Sequence, residues 1–379
     1  MRVMVLGTSF SAVPIYDVLK RLGHEIFVCG SNKTDPLASL CNNHVMIDYS
    51  DSEAVFKVMS EEKIDYVVPS CNDASYDTFI YCEDKLDRYV HDSKNITKNL
   101  HNKKYFRALL SKLDLPSPKT YTENELNGFD SQNFPSVLVK PVDSFSGIGC
   151  VNVQNHLELR DAIKFAETKS KNKEVVLEEF IEGTLHSVSV FIEDKKIKFN
   201  FFVDEKCLKN PYAVDFSYHP SFLDKTIKEN ILLAIQKIID DLNLSDGLMH
   251  MQLLRKDDLF WLIEPMRRCP GDLFPHQIYL SCGFDYWLAY VEKFLGKKYS
   301  GQSIAKKITP VNRSIVVSDK QFCSRSLTLP PTGNIFEIFS LSKSGEIIKE
   351  SPHGKSFIVF QSFLNGSNNL GLPPNFLNF

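Results

Sequence analysis

The sequence has no C-x-x-C pair, no G-x-G-x-x-G fingerprint, no internal repeat and no apolar run near the roughly 18 residues of a membrane span. The missing fingerprint counts against a plain Rossmann oxidoreductase, since the glycines that let a pyrophosphate approach the backbone are absent from the turn at residues 7–11. Nine cysteines, an odd number spread from Cys29 to Cys323, fit reduced structural thiols and imply no zinc. The apolar stretch at residues 3–6 is too short for a secretory signal, so a cytoplasmic protein is expected. An excess of one charge is also lacking: 44 Lys and Arg against 47 Asp and Glu offer no global attraction to nucleic acid or an anionic membrane. Any anion site must therefore be local.

What is present is an ordinary globular composition, 43% hydrophobic and 24% charged, over 379 residues. That length is about two to three typical domains. Residues 2–6, 25–29, 45–48 and 66–69 read as short apolar strands, with helical spacing over 13–22 and 53–62, which predicts a parallel βαβ sheet ending near residue 98. The turn after the first strand is either structural or a place where its amides and Ser9 or Ser11 meet substrate. A Lys-rich helix is expected over 102–113, stopped by Leu115-Pro116-Ser117-Pro118. Beyond it come a small α+β module over 137–180, a hairpin around Glu193-Asp194, an amphipathic helix over 226–242, a hairpin across 255–259 and a helix over 286–295. After Gly296 the composition turns β-like, and the last residues, rich in Asn, Pro and Gly, read as loosely ordered.

Three segments carry chemistry. Lys140-Pro141-Val142-Asp143-Ser144-Phe145-Ser146-Gly147-Ile148-Gly149 sets a cation at a strand end before a loop of small residues whose amides can fold over phosphates. Alone the signal is weak, a solvated strand end at Lys140 and hairpin glycines at Gly147 and Gly149 being the plainer alternative. Leu177-Glu178-Glu179-Phe180-Ile181 has the look of a strand edge and hinge that meets an adenine. Ile263-Glu264-Pro265-Met266-Arg267-Arg268-Cys269-Pro270-Gly271-Asp272 ends an apolar strand in a carboxylate, two guanidiniums and a Gly-Asp turn, suited to a metal and phosphate oxygens; a surface ion-pair network is the plainer alternative.

The order Asn102-Lys103, Leu115-Pro116, Val139-Lys140-Pro141, the Ser/Gly loop, Glu178 to Ile181, Gly247-x-x-His250 and Ile263-Glu264 resembles the ATP-grasp superfamily over about residues 1–300. The resemblance implies mixed α/β and α+β architecture, with an N-terminal parallel α/β domain at 1–98 and a two-part ATP-grasp domain at 99–300 with a lid at about 116–182; the β-like composition after Gly296 adds a small C-terminal β-rich domain at 301–379. It implies ATP between two α+β halves, with Lys103, Lys140, Ser144, Ser146 and Gly147 toward the phosphates and Glu178, Glu179, Phe180 and Ile181 lining the purine and ribose pocket. Mg²⁺ would be held by Glu264 and Gln252, and Arg268 would steady a reacting carboxylate or acylphosphate. The implied reaction turns a carboxylate into an acylphosphate that a small-molecule amine or similar nucleophile then attacks, as in amino-acid or sugar-decorating ligases. A homodimer is expected, and neither nucleic acid nor a membrane span.

The chain departs from the family at two positions: Gln252 stands where a metal carboxylate is usual and Met266 where an asparagine commonly completes the site. A Gln carbonyl binds Mg²⁺ without supplying charge, and a thioether is too soft a donor. Two readings follow: a working site helped by Asp272 or another carboxylate, or a nucleotide-binding protein of weak or absent activity. A carboxylase is a lesser alternative. His186, His250, Arg267 and Asp272 are substrate-side candidates, with a core histidine at 250 and a surface histidine at 186 as plainer outcomes. Lys206, His219 and His276 are weaker candidates still.

Overall fold

A computed structural model describes residues 1–88, 91–144, 146–324, 327 and 334–362. Strand β1 (Arg2–Leu6) pairs in parallel with β2 (Glu25–Cys29) and β4 (Tyr66–Pro69), and β3 (His44–Val45) lies outside β2. A parallel sheet is covered on both faces, which is why Val3, Met4, Val5 and Leu6 are all 0% exposed. Helices α1 (Val13–Arg21), α2 (Pro36–Leu40), α3 (Ser52–Glu61) and α4 (Asp73–Lys85) connect the strands and lead on from the last. Asp51 and Asn72 cap α3 and α4 by accepting from the Ala54 and Ser75 amides.

The segment expected as one Lys-rich helix is preceded by a second: α5 (Lys94–His101) leads into α6 (Lys103–Lys112) through Asn102, whose side chain accepts from the Lys104 and Tyr105 amides. A small sheet follows, ordered β5-β8-β6-β7, from β5 (Thr120–Tyr121), β6 (Val137–Pro141), β7 (Val151–Val153) and β8 (Val175–Glu179), with α7 (Glu123–Asn127) and α8 (His156–Lys169). Its own core gathers Leu126, Val137, Val139, Leu159 and Leu177.

The large sheet is built from β9 (Thr184–Glu193), β10 (Lys196–Lys206), β11 (Phe216–His219), β12 (Gly247–Lys256), β13 (Leu259–Met266) and β14 (Val311–Ile315). After the short pair of β15 (Phe322–Cys323) with β17 (Ile347–Ile348), it is completed by β16 (Asn334–Ser340) and β18 (Phe357–Ser362), in the order β13-β12-β9-β10-β11-β14-β18-β16. Asp194 and Lys195 turn the β9–β10 hairpin at φ 51° and 65°. Helix α9 (Lys225–Leu242) buries Ile227, Ile231, Ile235 and Ile238 against one face, where Val188, Val190, Met249 and Met251 meet them.

The opposite face of the large sheet joins the N-terminal unit. Helices α10 (Phe274–Cys282) and α11 (Tyr286–Phe294) lie between them, and one core runs from Val3 and Leu6 through Phe274 and Tyr286 to Ile315 and Phe360. The C-terminal strands, expected as a separate domain over 301–379, instead extend the large sheet: β14 pairs with β11 and β18 with β14. Alternation identifies a strand but not the edge it will join. The expectation for the last residues lies outside the described residues.

Candidate active site

A cleft of about 730 Å³ opens between the small and the large sheet, a size suited to a compact organic ligand. Lys103, Lys140 and Glu178 to Ile181 line it from one side, Glu205, Gln252 and Glu264 from the other.

Lys103 is the first residue of α6, held there by the Asn102 cap, and is 9% exposed. Its ammonium donates to the Ser144 carbonyl at 2.8 Å and stands 3.5 Å from Glu264 Oε2. Ser144 thus contributes its backbone rather than its hydroxyl. Ser146, Gly147 and Gly149 all have positive φ, 51°, 69° and 81°, so the loop turns sharply back over the cleft. A Cβ at Gly147 would strike Tyr212, coming 2.6 Å from its carbonyl oxygen.

Lys140 is 6% exposed and pairs with Glu178 Oε2, while Arg107 Nε lies 2.8 Å from Glu178 Oε1 and Arg107 Nη2 donates to Oε2 at 3.4 Å. Burial opposes the charge on Glu178, yet Lys140 and Arg107 hold it below the ordinary carboxylate range. Burial in turn lowers Lys140 from the usual lysine value. Glu178, expected against purine and ribose, lines the cleft with both carboxylate oxygens facing cations. Beyond it, the Glu179 and Phe180 amides donate to the Lys119 and Ser136 carbonyls at 2.8 and 3.0 Å, fastening the hinge.

On the large sheet, Gln252 stands opposite Glu264 and, on its other side, opposite Ser187. Gln252 Nε2 donates to Glu205 Oε2 at 3.2 Å and Ser187 Oγ to Glu205 Oε1 at 2.9 Å. Burial pushes Glu205 up to about 7, with Arg313 pulling against it. Glu205 escaped the sequence reading. The signal available was Phe201-x-Val203-x-Glu205, an acid continuing an apolar face of an alternating strand.

The two arginines of the Glu-Arg segment part company. Arg267, expected near substrate, is 4% exposed and fully engaged elsewhere: its Nε donates to Asp92 at 2.6 Å and its Nη atoms to the Leu248 and Ser245 carbonyls at 2.7 and 2.6 Å. It is a structural cation. Arg268 donates through Nε to Asp73 at 2.8 Å and through Nη1 to the Cys269 carbonyl at 3.2 Å, and it is not among the residues that line the cleft. Burial would raise Asp73, but Arg268 first and then His101 hold it down to about 2. Asp272, weighed as a metal helper, pairs with Arg313, which is 0% exposed and whose Nε and Nη2 have no hydrogen-bond partner among the described residues. Such an orphaned buried guanidinium marks a place where an anion would be satisfied. Asp73, Arg107 and Arg313 were invisible to motif reading because their partners lie 195, 71 and 41 residues away.

His250 is 2% exposed, hydrogen-bonded to Ser189 Oγ at 2.8 Å and driven by burial down to about 3, which makes it a neutral core histidine instead of a substrate ligand. His186 lines the cleft rather than the surface, held between Asp204 and Thr184, each at 2.7 Å. Lys206 also lines it, whereas His219 and His276 bond Ser281 and Glu337 at 2.8 and 3.0 Å.

A family model described as an ATP-grasp domain matches residues 132–272. The formate-dependent phosphoribosylglycinamide formyltransferase of Prochlorococcus marinus subsp. pastoris is 26% identical over 333 residues, covering 84% of this chain and 82% of that protein. Several further relatives of that name align over about half of their own length. Among solved structures, the L-amino acid ligase from Bacillus licheniformis matches with a TM-score of 0.79 at 15% identity, covering 97% of this chain and 94% of that one. The biotin carboxylase domain dimer of Hydrogenobacter thermophilus 2-oxoglutarate carboxylase, in complex with MgADP, matches with a TM-score of 0.78 at 13% identity, covering 95% and 86%. At such identities the structural likeness speaks for the fold. Together with the domain match, it gives the chain an ATP-grasp domain over residues 132–272, set in a fold that the whole chain shares with those structures.

Proposed function

We propose that this protein is an ATP-dependent ligase that activates a small-molecule carboxylate as an acylphosphate and passes the acyl group to an amine. The observation that carries the reading is the meeting, in one cleft, of Lys103 and Lys140 with the Glu264 and Gln252 pair of the facing sheet. A carboxylate oxygen attacks the γ-phosphorus and ADP leaves; the amine then attacks the carbonyl carbon, loses a proton and expels phosphate. The protein's part is placement and neutralisation of charge. Lys103 and Lys140, both fixed by carboxylates, offer ammonium groups to phosphate oxygens without having to be reorganised. Arg268, braced by Asp73, is the guanidinium assigned to the acylphosphate.

Magnesium fits the donor chemistry. The Glu264 carboxylate and the Gln252 carbonyl are hard oxygens, while Met266 is not a suitable ligand. Among the described residues no group of three or more His, Cys, Asp or Glu side chains is gathered to hold a metal, so phosphate oxygens and water would complete the shell. When bound, the ion supplies Lewis-acid neutralisation of the phosphate charge. A homodimer in the cytoplasm completes the proposal. It is supported by the dimer named for the Hydrogenobacter domain and by the lack, among the described residues, of any helix long and apolar enough to cross a membrane.

The test is release of ADP and phosphate across a panel of amino acids, other small carboxylates and amines. Turnover with one pair, abolished by Glu264→Gln, is the expected result. ATP binding without turnover across the panel, unchanged by Glu264→Gln, would leave a nucleotide-binding protein, and release that depends on bicarbonate would point to a carboxylase.

A further inference from the structure

We infer that Glu205 is a positioning residue that sets the metal-facing oxygen of Gln252, an inference that rests on the ligase reading above. Glu264, Gln252, Ser187 and Glu205 come from the adjacent strands β13, β12, β9 and β10 and share the sheet face turned away from α9. A glutamine amide is nearly symmetric in shape, so either its oxygen or its NH₂ could be turned toward a cation. Glu205 removes that freedom. Ionised, its carboxylate only accepts, and it accepts from Gln252 Nε2 at 3.2 Å, which draws the nitrogen toward β10 and leaves the carbonyl oxygen for the Glu264 side.

The other oxygen of Glu205 is occupied by Ser187 Oγ at 2.9 Å, and the side chain is 6% exposed, so the acceptor itself cannot swing away. Two tasks that one carboxylate at position 252 would combine are thereby divided. Gln252 supplies the hard oxygen, and Glu205, behind it, supplies the negative charge and the orientation. With Met266 offering no hard donor, a flipped Gln252 would leave Glu264 as the lone protein oxygen of the pair, so the orientation of this one amide carries unusual weight.

The inference is tested with Mn²⁺ as a spin probe, titrated by electron paramagnetic resonance into the full chain holding a non-hydrolysable ATP analogue, at about pH 8. Glu205→Gln is expected to weaken Mn²⁺ binding by about 10- to 100-fold, a larger change than in binding of the analogue in EDTA. The exchange Glu205→Gln with Gln252→Glu keeps one amide and one carboxylate in contact and is expected to recover most of the loss. It also serves as the deciding measurement should the single variant fail to fold. Equal Mn²⁺ affinity in the native chain and Glu205→Gln, or an exchange variant that binds Mn²⁺ no better than the single one, overturns the inference and leaves the ligase reading standing. A native chain that binds neither the analogue nor Mn²⁺ removes both.

Discussion

At the scale of single residues, the site is defined as much by what holds each charge as by the charge itself. Arg267 and Arg268 are adjacent, yet one is consumed by Asp92 and two carbonyls and the other turns to Asp73 of the N-terminal unit. Arg267→Met should therefore cost about 3–5 kcal/mol of stability, because Asp92, 0% exposed at its side chain, would be left as an unpaired buried charge. Urea unfolding measures this, and substrate turnover per folded molecule should be nearly unchanged. A loss of turnover without loss of stability would return Arg267 to the substrate side. His250 makes a pH prediction of definite sign. The unfolded chain protonates this imidazole below about 6.5, whereas burial keeps it neutral in the fold down to about 3. The unfolded state thus binds more protons in that window, and stability falls as pH drops through it, by up to about 1.4 kcal/mol per unit, with no effect above it. His219, lowered by burial to about 4, adds to the same trend. Urea midpoints at pH 7.5 and 5 should converge in His250→Gln; an unaltered pH slope would refute the assignment.

Elements place these residues through local rules that the sequence states openly and long-range pairings that it does not. The Asn102 cap puts Lys103 at the start of α6, and strand alternation puts Gln252 and His250 on one face, both consequences of periodicities readable in the chain. The loop over the cleft is set by three positive φ values, and there Gly147 is irreplaceable on two counts, backbone conformation and space beside Tyr212. Gly147→Ala should weaken nucleotide binding at least tenfold, since an L-residue at positive φ costs about 1–2 kcal/mol before the contact with a backbone oxygen is relieved. Isothermal titration with ATP in EDTA reads this directly, and unchanged affinity would mean that the loop does not meet the nucleotide. What the sequence could not convey is which side chain lies behind which. Glu205, Asp73 and Arg313 become site residues only through strands and helices brought together by tertiary packing, and none belongs to a contiguous motif.

The molecule as a whole joins its parts more tightly than composition suggests. The change to β-like sequence after Gly296 is real, but Val311, Ile315, Ile358 and Phe360, each no more than 1% exposed, close the same core that begins at Val3. Each such side chain contributes about 1.5–3 kcal/mol by burial. A chain ending at residue 310 also leaves Asp272 without Arg313, so it should lose cooperative thermal unfolding. A sharp transition near that of the full chain would show that the last strands are separable. The contact of Arg21 with Asp285 at 2.6 Å, and of the Tyr290 hydroxyl with the Pro69 carbonyl at 3.1 Å, tie the N-terminal unit to helix α11 in the same way.

The Arg267–Asp92 pair has a further consequence on the ribosome. The two residues are 175 positions apart, and at about 5–20 residues per second the arginine emerges on the order of 9–35 seconds after the aspartate. Throughout that interval the nascent N-terminal unit carries a carboxylate destined for a dry interior with no cation to meet it. The Asp92 carboxylate reaches its dry, paired state only once residue 267 has been made.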